Sequence, residues 1–208
     1  MNKRTMGVVL LSGMAALLAG TIAVGATYAL WSDKTTVETH LTSGNLEIKL
    51  ERMKLTKCTL DNSTGYLATT NNDEAKDFTT STTANANVFD IADGELIVPG
   101  AYYEAKMKLT NVGSVAFTYA VTLKLTDDDP AALASQLKVT FDGTATDHLY
   151  TDANKGVLSV GEGSLDKNDA AKEFTVKIEF ENLDANNSAM DQKANFDLIV
   201  EATQKTAA

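Results

Sequence analysis

The chain has 208 residues, of which 28 are acidic, 18 are basic and 44% are hydrophobic. This length suits one domain of ordinary size with a core of its own, and the net charge of −10 repels nucleic acid phosphates and anionic lipid headgroups, so both are disfavoured as partners. Cys58 is the only cysteine, which excludes an intramolecular disulfide.

The start of the chain differs in composition from the rest. Two basic residues, Lys3 and Arg4, precede an apolar block over residues 6–24, and small residues follow it. This order is typical of an export signal, so we predict a helical signal peptide over residues 1–29 with cleavage after Ala29. The alternative is an uncleaved membrane anchor, because the block approaches the roughly 20 residues that span a bilayer.

Short alternations of apolar and polar residues begin after the leader. Residues 37–41 and 46–50 alternate, which predicts two half-buried strands joined by a turn at residues 43–45. Residues 57–87 are rich in Thr, Asn, Asp and Ser and hold few large apolar side chains. We expect a polar surface excursion there, with one short strand near residues 65–67.

The strongest sheet signal lies in the middle of the chain. Residues 95–98 form an apolar run that ends at Pro99-Gly100, a turn signal. Residues 103–109 then alternate apolar and charged side chains, and a turn at residues 111–114 leads into an alternating run over residues 116–125. The pattern predicts paired antiparallel strands.

The second half adds one helix and three strands. Asp129 and Pro130 provide an N-cap and a first-turn proline, so a short helix is predicted over residues 131–137. Further strands are predicted over residues 138–141, 173–180 and 194–202. This number of strands cannot form one flat sheet without exposing an apolar face. We therefore predict an all-β, two-sheet antiparallel sandwich of jelly-roll type with one short helix.

The sequence supplies no recognisable catalytic constellation. His40 and His148 lie in separate polar stretches, no His-Glu-x-x-His run is present, and Cys58 has no histidine near it in sequence. We therefore expect neither an enzyme nor a cofactor. Oxygen-rich runs stand at residues 61–65, 127–129 and 152–156. A structural calcium ion there is the open alternative, although none of these runs completes an EF-hand loop.

The segment after the predicted cut, Leu30-Trp31-Ser32-Asp33, places two large apolar side chains at the new terminus, one of them the only tryptophan. Either this end folds back as an edge strand of its own domain, or it completes the sheet of a neighbouring copy through backbone hydrogen bonds. The second contact is head-to-tail and need not close, so its repetition produces a filament. The residues by themselves leave both arrangements open.

The same stretch resembles the start of a known family. Residues 27–33, Thr-Tyr-Ala-Leu-Trp-Ser-Asp, and the following residues 41–48 are similar to the opening of the TasA/camelysin family of secreted biofilm-matrix fibre proteins. That family has a Thr-aromatic-Ala cut site, an aromatic-x-Asp motif and a Phe-x-Ala/Ser-Gly-x-Leu-Asp start to the next strand. Residues 98–100 and 109–114 are similar to its Pro-Gly and Asn-x-Gly-Ser elements.

The resemblance implies export, removal of the leader by a SipW-type signal peptidase, a jelly-roll fold and self-assembly into extracellular matrix fibres by donor-strand exchange. Residues 30–45 would then be the donor-strand segment and residues 46–208 the sandwich domain. The expected anchors of the assembly strand are Leu30, Trp31, Val37 and Leu41. An accessory or anchoring matrix subunit is a further expected partner, the protein is expected to be secreted to the matrix or cell surface, and membrane contact is expected only through the uncleaved leader.

Two other functions stay open at this point. The camelysin branch carries a metalloprotease label, so a cell-surface metalloprotease is the enzymatic alternative, although no zinc triad is recognisable in the sequence. The other alternative is a monomeric sandwich that binds carbohydrate or another surface ligand. Fibres formed by the purified protein are expected of the matrix subunit and of neither alternative.

Overall fold

The computed structural model describes residues 30–39, 46–78, 88–91, 97–126, 132–183, 189 and 193–205, so the predicted leader lies outside the described residues. The strands are β1 Leu30–Thr39, β2 Ile48–Asp61, β3 Tyr66–Asn72, β4 Lys76–Asp77, β5 Tyr102–Asn111, β6 Phe117–Leu125, β7 Leu137–Phe141, β8 Thr144–His148, β9 Val157–Leu165, β10 Lys172–Phe180 and β11 Lys193–Gln204.

The strands form two sheets. The small sheet has the order β1-β11-β6-β9, and the large sheet has the order β3-β2-β5-β10-β7-β8, with β4 also paired to β2. Among the described strand pairs, β1 and β11 run parallel and the others antiparallel. The chain passes repeatedly from one sheet to the other, and the predicted all-β, two-sheet sandwich is confirmed.

Strand β5 shows how the sequence builds the core. Its alternate residues from Tyr103 to Leu109 are at most 1% exposed, whereas the intervening charged residues Glu104, Lys106 and Lys108 remain accessible. Strands β6, β10 and β11 follow the same period. Buried residues from both sheets belong to one hydrophobic cluster, because each sheet turns its apolar face towards the other.

Several turns contain backbone with positive φ, and two of them shape the large sheet. Gly100 has φ 87°, and its N–H donates to the Phe180 carbonyl at 2.7 Å, so the predicted Pro99-Gly100 turn is fastened to the end of β10. Asp142 and Gly143, with φ 47° and 76°, form the two-residue loop between β7 and β8. Paired positive φ values match the right-handed twist of a hairpin.

The segment predicted as a polar excursion is more ordered than expected. Strand β2 continues to Asp61, and β3 and β4 both pair with it. Within the same segment Phe78 is buried, and Val88 and Phe89 next to its end are fully buried. The short strand expected near residues 65–67 is part of β3, and residues 62–77 are largely exposed. Strand pairing extends further than expected, because β2 offers an edge along which polar, threonine-rich strands can pair.

Two further local predictions differ from the structure. In the segment predicted as a helix, the described residues contain only a 3-10 helix at Ala134–Gln136, and Leu137 already begins β7. Ile97 and Val98 belong to no strand, although a strand was predicted over residues 95–98. Ala134 and Leu137 are fully buried, so core packing decides the local conformation there.

Within the described residues, no helix is long and apolar enough to cross a membrane.

Candidate functional site

Strand β11 supplies the framework of the candidate site. Its residues with at most 1% exposure are Ala194, Phe196, Leu198, Val200 and Ala202. The Phe196 ring meets the Phe89 ring edge-on, with 6.2 Å between centroids. One side of β11 pairs antiparallel with β6, from Phe196 opposite Leu125 to Gln204 opposite Phe117. Strand β11 is therefore an inner strand of the small sheet, and its other side also needs a partner.

Strand β1 occupies that other side of β11. It runs parallel to β11 over all ten of its residues, from Leu30 opposite Lys193 to Thr39 opposite Ala202. Strand β1 forms the edge of the small sheet. Without it, β11 would present a long row of unpaired backbone donors and acceptors, which is a template for another strand.

The predicted anchors that lie in β1 are Leu30, Trp31 and Val37. The register sets Trp31 opposite Ala194 and Val37 opposite Val200, both of which are buried. Outside the described residues lie Leu41 and Ala29. The sequence thus found the strand, but its partner β11 stands at the far end of the chain and carries no local signal of the pairing.

In this structure β1 completes the sheet of its own chain, which is the first of the two arrangements that the sequence left open. Residues 40–45 join β1 in the small sheet to Leu46, just before β2 in the large sheet. Six residues can span about 20 Å, whereas packed sheets lie about 10 Å apart. The connection is therefore long enough for β1 to lie either on its own β11 or away from its own domain.

A hollow on the small sheet lies across β11, β6 and β9. It is lined by Thr118, Tyr119, Ala120, Glu162, Gly163, Ser164, Glu201 and Thr203. The hydroxyl and carboxylate groups come from β6, β9 and β11. Apart from the buried Tyr119, the lining side chains are small or charged, so the hollow offers hydrogen bonds but little exposed aromatic surface to a ligand.

The most buried charge of the described residues was missed at the sequence level. Arg52 is 1% exposed; its guanidinium donates to the Val88 carbonyl and to the Asp90 carboxylate, both at 2.6 Å. Lys76 donates to the other Asp90 oxygen at 2.8 Å. Burial raises the pKa of Asp90, but the hydrogen bonds and charges of Arg52 and Lys76 outweigh it and hold that pKa below its ordinary value. This cluster fastens residues 88–91 to β2.

The remaining titratable candidates from the sequence are His148, Cys58 and His40. His148 Nε2 lies 2.9 Å from Glu181, which also accepts from Lys138 at 2.7 Å. The hydrogen bonds from Lys138 and His148 lower the pKa of Glu181. Cys58 is half-buried on β2, opposite Thr69 of β3, and His40 lies outside the described residues.

The oxygen-rich runs that the structure describes are turns. The Asp61 carboxylate accepts from the Ser63 amide and hydroxyl at 2.8 and 2.7 Å, which lowers its pKa. The Asn154 side-chain oxygen accepts from the amides of Thr151 and Gly156. Residues 127–129 lie outside the described residues. Among the residues that the structure describes, no group of three or more metal-ligating side chains occurs.

No protein-family model, curated protein or solved structure matches this chain.

Proposed function

We propose that this protein is the structural subunit of extracellular matrix fibres that grow by head-to-tail exchange of β1 between copies. The observation that carries the proposal is the parallel pair of β1 and β11. The first strand after the predicted cut covers the edge of the last strand over ten residues. Its covalent connection to the sandwich runs through residues 40–45. In the fibre, β1 of one copy takes the same position on β11 of the next.

Exchange of β1 conserves the contacts that β1 makes. The backbone hydrogen bonds and the register are the same whether β11 belongs to the same chain or to another, so the two arrangements differ mainly in the connecting segment and in the entropy of association. Each copy that gives its strand away also has an edge to fill. Assembly is therefore directional and does not end after one exchange.

The leader sets when exchange begins. Export, cleavage after Ala29 by a SipW-type signal peptidase and release to the matrix or cell surface belong to the proposal, since the exchanged strand β1 includes the residue after that cut. N-terminal sequencing of the protein recovered from culture medium should read Leu30-Trp31-Ser32-Asp33. A first residue inside β1, or an intact leader on the released protein, would contradict this step.

Electron microscopy of the chain that starts at Leu30 tests the fibre itself. This chain contains every residue that the structure describes. We expect fibres from it and none from a variant lacking Leu30–Asp33, which loses the pairs with Lys193–Phe196 but keeps the sandwich core. Circular dichroism should show that the variant remains folded. Equal fibre formation by both proteins would refute exchange through β1.

A disulfide lock provides a sharper test. Thr36 and Ile199 are register partners in β1 and β11, and adjacent strands lie about 4.8 Å apart, within the range that a disulfide bridges. In a Cys58→Ser background, the double variant Thr36→Cys with Ile199→Cys should form no fibres when it is oxidised as a monomer. The reduced protein should form fibres, and later oxidation should link copies into a covalent ladder.

The same samples separate the alternatives. Oxidised protein that assembles as well as reduced protein would show that β1 stays on its own β11. A protein that stays monomeric and is retained on a glycan array would support the surface-binding sandwich. Chelator-sensitive hydrolysis of casein by the purified chain would support the metalloprotease. If the pure protein forms fibres only after an accessory or anchoring subunit is added, that subunit is required for assembly.

A further inference from the structure

Strand β3 forms an edge of the large sheet that is unlike the other edges of the sandwich. Within the described residues it pairs only with β2, and its outer side has no strand beside it. Six of its seven residues are exposed, including Tyr66 at 77% and Leu67 at 40%. Its sequence, Tyr-Leu-Ala-Thr-Thr-Asn-Asn, contains no charge, no proline and no glycine.

The other edges carry features that oppose pairing with a further strand. Strand β1 contains Asp33, Lys34 and Glu38, and β8 is five residues long with Asp147 and His148 at its end. Strand β9 is interrupted by an irregularity and contains two glycines and Glu162. Charge, short length and bulges are the usual protections of an edge strand, and β3 has none of them.

The hairpin of β2 and β3 also extends past the rest of the large sheet. The pairing of β2 with β5 stops at Cys58 opposite Tyr102, whereas its pairing with β3 continues to Asp61 opposite Tyr66. The tip of the hairpin therefore projects beyond β5. Of the seven β3 residues, Tyr66–Ala68 lie beyond the pairing with β5, and the others lie alongside the part of β2 that pairs with β5.

We propose that β3 is a docking edge for a second copy of this chain, which binds through its own β3 in antiparallel orientation. The chain carries a net charge of −10, so two copies repel one another over most of their surfaces and an uncharged stretch is the favoured place of contact. Antiparallel self-pairing of seven uncharged residues sets no like charges opposite each other. The charged residues that follow, Asp73 and Glu74, limit the contact to β3.

The symmetry of such a contact is fixed by the length of the strand. Thr69 is the middle residue of Tyr66–Asn72, so a two-fold axis at Thr69 gives all seven residues a partner. The contact is isologous and closes as a dimer, in which two large sheets become one. It does not rest on the proposed function, and between fibres it would act as a lateral cross-link.

Cysteine cross-linking tests the axis. Opposed residues of antiparallel strands have Cα atoms about 4.5 or 5.5 Å apart, and both distances suit a disulfide. The test protein is the chain from Leu30 with Cys58→Ser and Thr69→Cys. The serine substitution is required because Cys58 lies opposite Thr69 in the same chain. Thr144→Cys in the same background is the control, since Thr144 is exposed on the β8 edge.

We expect covalent dimers of Thr69→Cys to form about 100-fold faster than those of Thr144→Cys at ~10 μM protein, because the dimer raises the local thiol concentration to the millimolar range. The same result is expected in the variant lacking Leu30–Asp33, so failure of the fibre proposal would leave this outcome unchanged. Equal rates for the two cysteine variants would overturn the proposal.

Charge substitution at the axis gives a second, independent readout. Thr69→Lys sets two ammonium groups opposite each other, so the dissociation constant measured by sedimentation velocity should rise about fivefold or more. Thr144→Lys adds the same charge at an exposed position on β8 and should leave the dissociation constant unchanged. An equal effect of both lysines would assign any dimer to another surface.

Discussion

Arg52 stands at a position that the alternation of its strand assigns to the core. Leu46, Ile48 and Leu50 precede it at every second residue and are buried, and Arg52 continues that series to the same face. Alternation over residues 46–50 predicts this strand, and the same parity reaches Arg52 two residues later. A charge on the apolar face of a strand requires a partner that crosses to it, and here the partner comes from residues 88–91.

Replacing Arg52 tests whether this cluster holds the molecule together. Arg52→Met keeps much of the side-chain length but removes the donors to the Val88 carbonyl and the Asp90 carboxylate. We expect the free energy of unfolding to fall by about 3 kcal/mol, since one partner of a buried, hydrogen-bonded pair is lost. Urea denaturation measures the change.

Lys54→Met is the matched control for that substitution. Lys54 lies near Asp73, at 3.8 Å, with both side chains exposed, so its removal should change stability by less than about 1 kcal/mol. Equal losses in the two variants would mean that Arg52 contributes no more than a surface charge.

Asp90 makes the same cluster sensitive to acid. Its folded-state pKa lies below the ordinary value, so its contribution to stability is complete above the pKa of the unfolded chain and is lost as pH falls through the folded pKa. Asp90→Asn should therefore lower stability at neutral pH and flatten the decline below about pH 4. The free energies of unfolding of the two proteins, measured by urea denaturation at a series of pH values, should converge in acid. A constant difference between them at every pH would contradict this.

At the scale of the element, β9 shows why two glycines stand in a strand. A Cβ at Gly161 would overlap the ring of Phe141, and one at Gly163 would lie 2.5 Å from the Tyr119 hydroxyl. The Phe141 ring stacks on Phe174 at 5.4 Å between centroids. The glycines thus leave room for aromatic side chains at the end of the sandwich near β7.

Gly161→Ala should cost about 1–3 kcal/mol, because it overpacks the contact with Phe141. Adding Phe141→Leu should recover part of that loss, as expected for residues that compete for the same space. Ser159→Ala, at an exposed position of β9, should change stability by less than about 0.5 kcal/mol. Strictly additive losses in the double variant, measured by thermal unfolding, would rule out the proposed clash.

The elements also show how far the sequence predicts this fold. Alternation located β5, β6, β7, β10 and β11 and the two-sheet arrangement. Strands β8 and β9 were missed because they are exposed, polar or glycine-containing, although Asp142-Gly143 is a strong two-residue hairpin signal. The helix prediction was wrong because Leu133, Ala134 and Leu137 are all buried in the core, and this packing overrides local helix propensity. Of the candidate site, β1 was predicted; its pairing with β11 is set only by the assembled sheet.

At the scale of the whole molecule, the pairing of β1 with β11 joins the two ends of the described sequence. Pairs such as β2 with β5 and β6 with β11 are also distant in sequence. Ordering a long loop precedes the gain from such contacts, so folding is slow. We expect refolding of the chain from Leu30 on the millisecond-to-second scale.

Trp31 allows the last step to be followed separately. It is the only tryptophan and lies in β1, so its fluorescence reports on the first strand while far-UV circular dichroism reports on both sheets. Since β1 needs an ordered β11, the fluorescence phase in stopped-flow refolding should be no faster than the circular dichroism phase. A faster fluorescence phase would show that β1 finds its environment before the small sheet exists.

The common direction of β1 and β11 has a practical consequence for engineering. Leu30 lies level with Lys193, and Thr39 with Ala202, so the chain enters β1 and leaves β11 at opposite ends of the small sheet, about 30 Å apart for a ten-residue strand. A reporter enzyme or peptide tag fused behind β11 would begin at the end remote from Leu30. Such cargo would stand clear of a second tag fused before Leu30.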